Sequence, residues 1–506
     1  MGIDIGTSNS KILIIDETGN FVAKASQEYP ISSPQPCYAE QDPEWWWNAV
    51  KISIKEALKS SQIDPTEISA ISLSGQMHGT VLLGKDCKPL RTAIIWADKR
   101  SSHQCTEFYE KIGREKVLDI VCNPVMPGFM GPSLLWVKEN EPEIFNKTFK
   151  VLLPKDYVRS KLTDSFASDL SDASATSLFD VKRTEWSQYL FSQLEISLEM
   201  FPQVFESTDV TGEISSKAAE ATGLSRGTPI VAGGGDSPVG ALGCGAIKAG
   251  IISSNIGTGG QVFVTLDEFK VDPDYRIHTF CHAVPGKWYL QGAILSAGLS
   301  LRWFRDNFAQ LEKSVGALCN IDPYNLLSKE AELAEPGCRG LIFLPYLLGE
   351  RSPHMDPGAR GGFFGLTFEH DRAHLIRAVM EGVIYALRDC LEIFEELGVK
   401  AEKVIVRGGG SRSSLWRQMQ ADIFNAKVVK TNVEEEVAFG AALLAGVGVG
   451  IYRTLEEACE KTIQIVSGES PNKERLRIYE VYYNRIYRNL YSSLKNYWSK
   501  VDLKQN

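Results

Sequence analysis

Several familiar signatures are missing from this 506-residue sequence. It contains no Gly-x4-Gly-Lys-[Ser/Thr] loop and no set of protein-kinase motifs, which excludes those two routes to ATP chemistry. Its ten cysteines form no CxxC pair and no Cys/His cluster at metal-ligand spacing, so neither a zinc site nor a disulfide framework is predicted. Reduced thiols are typical of the cytoplasm, which is the expected location.

Long apolar runs and an excess of basic residues are also missing. No uninterrupted apolar run approaches the roughly 20 residues of a membrane span, and the start of the chain lacks the basic and apolar regions of a signal peptide. Lys and Arg number 54 against 63 Asp and Glu, which gives a net charge of −9. Proteins that bind nucleic-acid phosphates depend on clustered basic residues. We therefore predict neither a membrane nor a nucleic-acid partner.

What the sequence does have is length, and two similar turns. A chain of this size exceeds what one hydrophobic core usually supports, so two domains with a cleft between them are expected. Asp4-Ile-Gly-Thr-Ser8 and Asn255-Ile-Gly-Thr-Gly259 lie about half the chain apart, each between two apolar runs of strand type. A repeat at this offset predicts two related domains that each present a Gly-Thr turn to a shared cleft. Ordinary structural turns are the alternative.

The remaining pattern alternates strands with helices. A strand is predicted over 68–73, and long helices over 373–388 and 414–424, which indicates the α/β class. Near the end, apolar and aromatic residues from Leu476 to Trp498 recur every three or four positions. This spacing predicts an amphipathic helix that docks on the body of the protein.

Glycine-rich segments are the candidates for holding phosphates. Glycine lets the backbone approach an anion, successive N–H groups form a concave nest, and a Thr or Ser hydroxyl adds a donor. In the two turns the candidate residues are Thr7, Ser8, Gly257, Thr258 and Gly259. A third cluster, Gly408, Gly409 and Gly410, follows an apolar run and precedes a helix that Ser411 or Ser413 could cap, so it is a candidate nucleotide seat. A plain strand-to-helix turn is the alternative.

One acidic residue follows three glycines at the end of a predicted strand. In Gly233-Gly-Gly-Asp236 the carboxylate would stand at the floor of a cleft with little bulk around it. Transfer of a phosphoryl group to an alcohol needs such a group to accept the hydroxyl proton. Asp236 is therefore the candidate general base, and the alternative is a helix-capping Asp.

Two further segments carry side chains suited to a sugar. His78 follows a Gly-Gln-Met turn at a strand end, where its ring could reach hydroxyl groups. Trp96 and Asp98 place an aromatic face and a carboxylate close together, with Arg100 next to them. The alternative for His78 is a core or surface histidine whose hydrogen bonds are already satisfied. The alternative for the segment from Trp96 to Arg100 is an ordinary ion pair.

Motifs spread in order along nearly the whole chain resemble the FGGY family of carbohydrate kinases. They are Gly2–Ser8, Ser74–Gly79, Pro154–Tyr157, Gly233–Asp236, Ile256–Gly259, Leu344–His354, Asp356–Gly365 and Gly408–Trp416. The resemblance implies two ribonuclease-H-like domains of the actin and hexokinase superfamily with a central cleft. Residues 1–243 would form the sugar-binding domain and residues 244–506 the ATP-binding domain, which ends in the amphipathic helix.

The resemblance also implies site residues and cofactors. ATP and Mg²⁺ would bind in a cleft that closes around the substrates, and a homodimer is expected. Asp236 would be the base and a metal ligand, with Asp4 near the metal through water. Met77, His78 and Ser237 would contact the sugar, while the glycine loop at 408–410 and Ser413 would line the nucleotide seat.

The expected acceptor is a terminal hydroxyl, O5 of D-xylulose, because the family members that use this sugar share the run Gln76-Met-His78. Two departures keep gluconate, ribulose or another pentulose open: Ser237 and Ala97 stand where those members usually carry Asn. Each change removes an amide that could bind a sugar hydroxyl. Two alternative functions belong to other classes of protein. An actin- or chaperone-like ATPase clamp is disfavoured by the Gln-Met-His turn. A sugar-sensing regulator is disfavoured because the sequence lacks a basic DNA-binding segment.

Overall fold

The computed structural model describes residues 1–501, and the last five residues of the predicted second domain lie outside them. Each half of the chain is built on one mixed β-sheet. The strands of the first sheet are β1 (Gly2–Ile5), β2 (Asn9–Ile15), β3 (Phe21–Glu28), β4 (Ile71–Gly75), β5 (Val210–Glu213) and β6 (Pro229–Gly235). Those of the second are β7 (Ile251–Ile256), β8 (Gly260–Leu266), β9 (His278–Cys281), β10 (Trp288–Ile294), β11 (Lys403–Arg407), β12 (Lys427–Thr431) and β13 (Ile465–Glu469).

Helices cover both sheets. In the first half they are α1 (Pro43–Ser61), α2 (Ser102–Ile112), α3 (Arg114–Ile120), α4 (Met130–Asn140), α5 (Pro142–Lys147), α6 (Pro154–Thr163), α7 (Leu170–Ala173), α8 (Gln188–Leu194), α9 (Ser216–Thr222) and α10 (Asp236–Gly243). In the second half they are α11 (Gly298–Phe308), α12 (Gln310–Cys319), α13 (Pro323–Ala331), α14 (Arg372–Glu396), α15 (Ser414–Phe424), α16 (Glu436–Gly448), α17 (Leu455–Thr462), α18 (Lys473–Tyr482) and α19 (Arg488–Val501). Among the described residues no helix is long and apolar enough to cross a membrane.

The two sheets have the same plan. The first runs β5-β6-β4-β1-β2-β3 and the second β9-β10-β8-β7-β11-β12-β13. In each sheet a hairpin (β1–β2 or β7–β8) is extended on one side by a third antiparallel strand and on the other side by two parallel strands. The predicted α/β class and the two related domains are confirmed. The carboxyl ends of parallel strands meet at one edge of each sheet, which is where ligands bind in open α/β sheets.

The strand predicted over 68–73 is displaced toward the C-terminus. The structure has it at Ile71–Gly75, because Asp64 caps a short 3-10 turn at Pro65–Glu67 and Ile68 ends that turn. The hairpin around Gly257 and the two long helices lie where the pattern predicts them, although α14 continues to Glu396.

Helix α16 joins the halves, since it belongs to the second half by sequence but packs on the first sheet. A Cβ atom added to Gly2 in β1 would lie 1.9 Å from the Ala438 carbonyl oxygen, so the helix backbone touches the strand. Phe21 packs edge-to-face on Phe439 at 6.2 Å. Beside them, Lys11 Nζ lies 2.7 Å from Glu435 Oε2.

The aromatic stripe near the C-terminus lies on α18, a π-helical turn (Tyr483–Tyr487) and α19. Tyr479, Tyr483 and Tyr487 are buried. Tyr479 donates a hydrogen bond to Glu381 (2.9 Å) and Tyr483 to Asp389 (2.7 Å), both on α14. The stripe therefore packs against the longest helix of the second half.

Candidate active site

The first Gly-Thr turn joins β1 to β2 and is held by side chains from other segments. The Thr7 carbonyl accepts a hydrogen bond from Gln41 Nε2 (2.8 Å), and its hydroxyl oxygen accepts one from Trp96 Nε1 (2.9 Å). The Tyr29 hydroxyl donates to the Gly6 carbonyl (2.6 Å). Thr7, a predicted phosphate contact, and Trp96, a predicted sugar contact, are thus direct neighbours, with Ser8 exposed beside them.

Two carboxylates meet at the edge of the first sheet. Asp4 is the third residue of β1, and Asp236 begins α10 where β6 ends. Burial raises the pKa of Asp236 to about 6, against hydrogen bonds from Ser237 and the charge of Arg407. Burial, with the charge of Asp236, raises the pKa of Asp4 to about 7. Carboxylates with such raised pKa values in a cleft are typical of catalytic and cation-binding sites.

At each of the three positions before Asp236, a side chain larger than that of glycine would clash with a different neighbour. Gly233 has a positive φ of 72°, and a Cβ there would lie 1.8 Å from the Leu73 carbonyl oxygen. At Gly234 a Cβ would lie 2.7 Å from Ser171 Oγ, and at Gly235 it would lie 2.8 Å from Met77 Cγ. One backbone carbonyl and two side chains therefore touch this strand end. The N-cap of α10 is Gly235, not Asp236.

His78 lies at the carboxyl edge of β4 with a positive φ of 72°. Its Nδ1 lies 2.7 Å from the Ala175 carbonyl, to which it donates, and its ring stacks on Phe129 at 3.8 Å. Burial lowers the pKa of His78 to about 3, so the ring is neutral. With Nδ1 donating, Nε2 is free to accept a hydrogen bond from a hydroxyl group.

The second half contributes a wall to this region that the sequence did not reveal. Phe280 lies 6.1 Å from the His78 ring, and His278 stacks on Phe280 at 5.6 Å. Both ring nitrogens of His278 are buried without a hydrogen-bond partner. Burial, then the charge of Arg351, lowers the pKa of His278. The one signal for this wall in the sequence is the pair of histidines in the short run His278-Thr-Phe-Cys-His282.

Asp98 is fully buried and both its oxygens are occupied. Oδ2 accepts a hydrogen bond from the Ala39 backbone N–H (2.6 Å), and Arg100 donates to both oxygens from 2.8 to 3.0 Å. The guanidinium of Arg100 lies 3.6 Å from the Tyr38 ring. This geometry matches the ion-pair alternative, and a sugar contact by Asp98 stays a prediction. Trp96, 40% exposed, is the predicted sugar contact of this segment that faces outward.

A cavity of about 600 Å³ opens beside the second Gly-Thr turn. Its lining includes five of the predicted nucleotide residues, namely Gly257, Thr258, Gly409, Gly410 and Ser413. Gly259 and Gly408 adjoin it in the same two loops. The opposite wall comes from α11 and α13, through Gly298, Leu299, Arg302, Tyr324, Asn325 and Ser328. Sequence reasoning missed this wall, because neither helix has a local motif.

Backbone contacts fix the second turn against the start of α11. The Thr258 carbonyl accepts hydrogen bonds from Ala297 N and Leu299 N (3.0 Å each), and the Gly257 carbonyl accepts one from Gly298 N (2.8 Å). Ser413 caps α15 by accepting a hydrogen bond from Trp416 N (3.2 Å). The N–H groups named here at the two helix starts are thus engaged within the protein. The cavity also lies beside two glycine loops, whose backbone can approach phosphate oxygens closely.

Arg407 links this cavity to the carboxylates. It ends β11 directly before Gly408, and its side chain is 9% exposed. A Cβ on Gly240 would lie 2.1 Å from Arg407 Nη2, so the guanidinium touches α10, the helix that starts at Asp236. The signal for this residue in the sequence is its place immediately before three glycines. Sequence analysis gave it no role.

Comparison with known proteins agrees with this arrangement. Residues 1–243 match the model of the FGGY family of carbohydrate kinases, N-terminal domain, and residues 252–449 match that of its C-terminal domain. The chain belongs to the FGGY family. It is a carbohydrate kinase, a phosphotransferase that uses ATP and an alcohol acceptor.

Relatives of this kinase match along their full length. The xylulose kinase of Bacillus subtilis is 38% identical over 98% of this chain and 97% of its own. The gluconokinase of the same organism is 33% identical over 98% of both chains. The crystal structure of a ligand-bound xylulose kinase from Lactobacillus acidophilus has a TM-score of 0.91 at 29% identity and covers 99% of each chain. The predicted fold of two actin- and hexokinase-like domains is thereby confirmed.

Proposed function

We propose that this kinase transfers the γ-phosphoryl group of ATP to O5 of D-xylulose, with Asp236 as the general base. The observation that carries the proposal is the partly buried Asp236 carboxylate at the carboxyl edge of the first sheet, with a pKa raised to about 6. A base works best when its pKa lies near the operating pH. The similarity to proteins named xylulose kinase supports the choice of sugar.

In this mechanism the residues of the first half bind the acceptor. Met77 touches the backbone beside Asp236, and neutral His78 accepts a hydrogen bond from a sugar hydroxyl. Trp96 offers an aromatic face, and Ser237 and Asp98 complete the proposed set. The Asp236 carboxylate accepts the O5 proton while O5 forms a bond to the γ-phosphorus and the bond to the β-phosphate oxygen breaks, which releases ADP.

The nucleotide is proposed to occupy the 600 Å³ cavity. Backbone N–H groups of the turn at 257–259 and the loop at 408–410, with the Thr258 hydroxyl, would bind its phosphates, and Ser413 would line the seat. Thr7 and Ser8 would approach the terminal phosphate from the first half. The sugar-binding domain is then residues 1–243 and the ATP-binding domain residues 244–506, with closure of the cleft between them.

The carboxylate pair fits a magnesium ion. Asp4 Oδ1 is buried without a hydrogen-bond partner, and Mg²⁺ typically binds one or two carboxylates together with water and substrate phosphates. Asp236 would bind the ion directly and Asp4 through water. When bound, the ion would neutralise charge on the phosphates. A homodimer and a cytoplasmic location stay predictions from the sequence.

Gluconate is the second candidate acceptor. Ser237 and Ala97 replace the asparagines usual in the family members that use D-xylulose, and the gluconokinase of Bacillus subtilis matches the whole chain. A change of one sugar-binding polar group can shift discrimination by orders of magnitude.

The test is ADP release by the purified kinase with D-xylulose, L- and D-ribulose, D-gluconate, glycerol and no sugar. We expect the highest kcat/KM with D-xylulose and only slow ADP release without sugar. A higher kcat/KM with gluconate would reassign the substrate. Equal ADP release with and without every sugar would contradict a sugar kinase and favour an ATPase clamp.

A further inference from the structure

A buried group of charged side chains lies directly behind the strand that carries Asp236. Lys155, Asp156 and Arg159 come from α6, and Asp169 and Asp172 from the segment around α7; each is at most 1% exposed. Lys155 Nζ lies 2.6, 2.7 and 3.3 Å from oxygens of the three aspartates in that order. We refer to these five residues as the buried ion cluster.

The charges of the cluster are nearly balanced. Burial alone would lower the pKa of Lys155, but the three carboxylates raise it above its usual value. Burial raises the pKa of Asp172 well above its usual value, against the charge of Lys155. Three carboxylates therefore face one lysine and one arginine. A fully buried cluster of this kind adds little stability compared with an apolar core. Stability therefore does not explain why these charged side chains lie behind β6.

Two hydrogen bonds connect the cluster to β6. The Ser171 hydroxyl donates to Asp169 Oδ2 (2.5 Å), and its oxygen accepts a hydrogen bond from the Gly235 backbone N–H (3.1 Å). Arg159 Nη1 lies 2.9 Å from Asp156 Oδ1, and its Nη2 donates to the Ala232 carbonyl. A chain of contacts therefore runs from Lys155 through Asp169 and Ser171 to the residue before Asp236.

The strand is irregular where these contacts reach it. The pairing of β6 with β4 shifts register between Val231 and Gly234, and a β-bulge leaves backbone groups without ladder partners and redirects the chain. Arg159 binds a carbonyl inside the shifted stretch. At Gly234 only glycine leaves room for Ser171 Oγ, as a Cβ would lie 2.7 Å from it.

We propose that Ser171, held by the buried ion cluster, is a positioning residue for Asp236. Its hydroxyl fixes the Gly235 N–H, and Gly235 is both the N-cap of α10 and the neighbour of the proposed base. Because the hydroxyl at once donates to Asp169 and accepts from Gly235, its orientation is determined by a charged partner. The strand end cannot then rotate to turn the carboxylate away from the acceptor hydroxyl.

The inference rests on the proposed role of Asp236, which the turnover of Asp236→Ala tests separately: near-normal turnover there removes the base, whereas the Ser171 variants test only its positioning. Ser171→Ala removes the acceptor for Gly235, while Ser171→Cys keeps the volume but offers a weak acceptor. Ser53→Ala is the matched control, because Ser53 is equally buried in the same half and contacts Ser10, 3.5 Å away, but not β6. Thermal unfolding and the kcat and KM for sugar and ATP are measured for each variant.

We expect both Ser171 variants to lose about tenfold in kcat, the effect of one hydrogen bond, with both KM values within twofold of the control. If Ser171→Ala does not fold, Ser171→Cys decides. A kcat within twofold of Ser53→Ala, or a loss confined to KM, would overturn the inference. If the wild type does not use D-xylulose, the proposed substrate fails, and the same comparison is made with the acceptor that it does use.

Discussion

The two Gly-Thr turns have nearly the same local sequence and occupy equivalent places in two sheets of the same plan, but their surroundings differ. The first is held by side chains of Gln41, Tyr29 and Trp96. The second is held by backbone groups at the start of α11 and opens onto the large cavity. Aromatic and amide side chains thus surround the first turn, whereas the second turn adjoins glycines and the cavity that is proposed to hold the phosphates.

The two turns also differ in the charge of the residues beside them. The first is preceded by Asp4, paired in register with Ser74 of the next strand, and the second by Asn255, paired with Arg407. One side of the cleft therefore carries a carboxylate with a raised pKa and the other a buried guanidinium. A repeated fold that carries a carboxylate on the first strand of one half and a guanidinium on the neighbouring parallel strand of the other suits a reaction between a proton-accepting group and an anionic phosphate chain.

The largest effect is expected from removing the carboxylate of the proposed general base. Asp236→Ala should lower kcat about 10³-fold, since a general base contributes 10²–10⁴, while sugar binding measured by calorimetry is retained. Asp209→Ala is the control, because Asp209 is an exposed aspartate directly before β5 of the same sheet. Near-normal turnover in Asp236→Ala would contradict the assignment of the base.

The pH dependence of kcat/KM for the sugar should sharpen the difference between the acidic and basic sides of the site. Asp236 acts as a base only when ionised, and its pKa in the free protein is raised to about 6. Because kcat/KM reports the pKa values of the free enzyme, we expect it to fall as the pH decreases through about 6 and to be level above it. A flat profile between pH 5 and 8 would argue against a titrating base at this site.

The two threonines compare the turns directly. Thr258→Ala removes a hydroxyl at the cavity and should raise the KM for ATP about tenfold, with a smaller effect on the sugar. Thr7→Ala removes the acceptor for Trp96 and a hydroxyl proposed to approach the terminal phosphate, so it should raise the KM for the sugar several-fold and the KM for ATP by less. Steady-state kinetics with each substrate varied in turn measures both. The same KM pattern for the two variants would contradict separate roles.

The smallest effect on activity is expected at a carboxylate behind the second turn, where the change is one of stability. Glu350 is buried, accepts a hydrogen bond from Leu295 N (3.1 Å), and burial raises its pKa to about 8. A raised folded-state pKa gives a stabilising contribution below the unfolded value of about 4.5 that is lost as the pH rises through 8. Glu350→Gln should remove this loss, which is on the order of a few kcal/mol. Its Tm relative to wild type should therefore increase between pH 5 and pH 9, and a constant difference would contradict the shift.

Local sequence determined the elements that carry the site. Alternating apolar residues around Gly6 and Gly257 specify two hairpins, and the apolar run before Gly233 specifies a strand that ends in glycines. Because such patterns depend on residues near in sequence, they place the two turns, the proposed base and the proposed nucleotide loops without knowledge of any tertiary contact. The same local view missed His278, Phe280, Tyr324 and Asn325, whose partners lie in distant segments.

Tertiary structure decided what those elements do to each other. The sequence predicted glycines that leave Asp236 uncrowded, yet packing shows that each glycine admits a particular neighbour, with Ser171 and Met77 among them. It also brought Asp4 beside Asp236, set Arg407 against α10 and engaged both oxygens of Asp98. Electrostatic shifts and steric limits depend on atoms within a few ångströms, whichever part of the chain supplies them, and only the folded chain brings those atoms together.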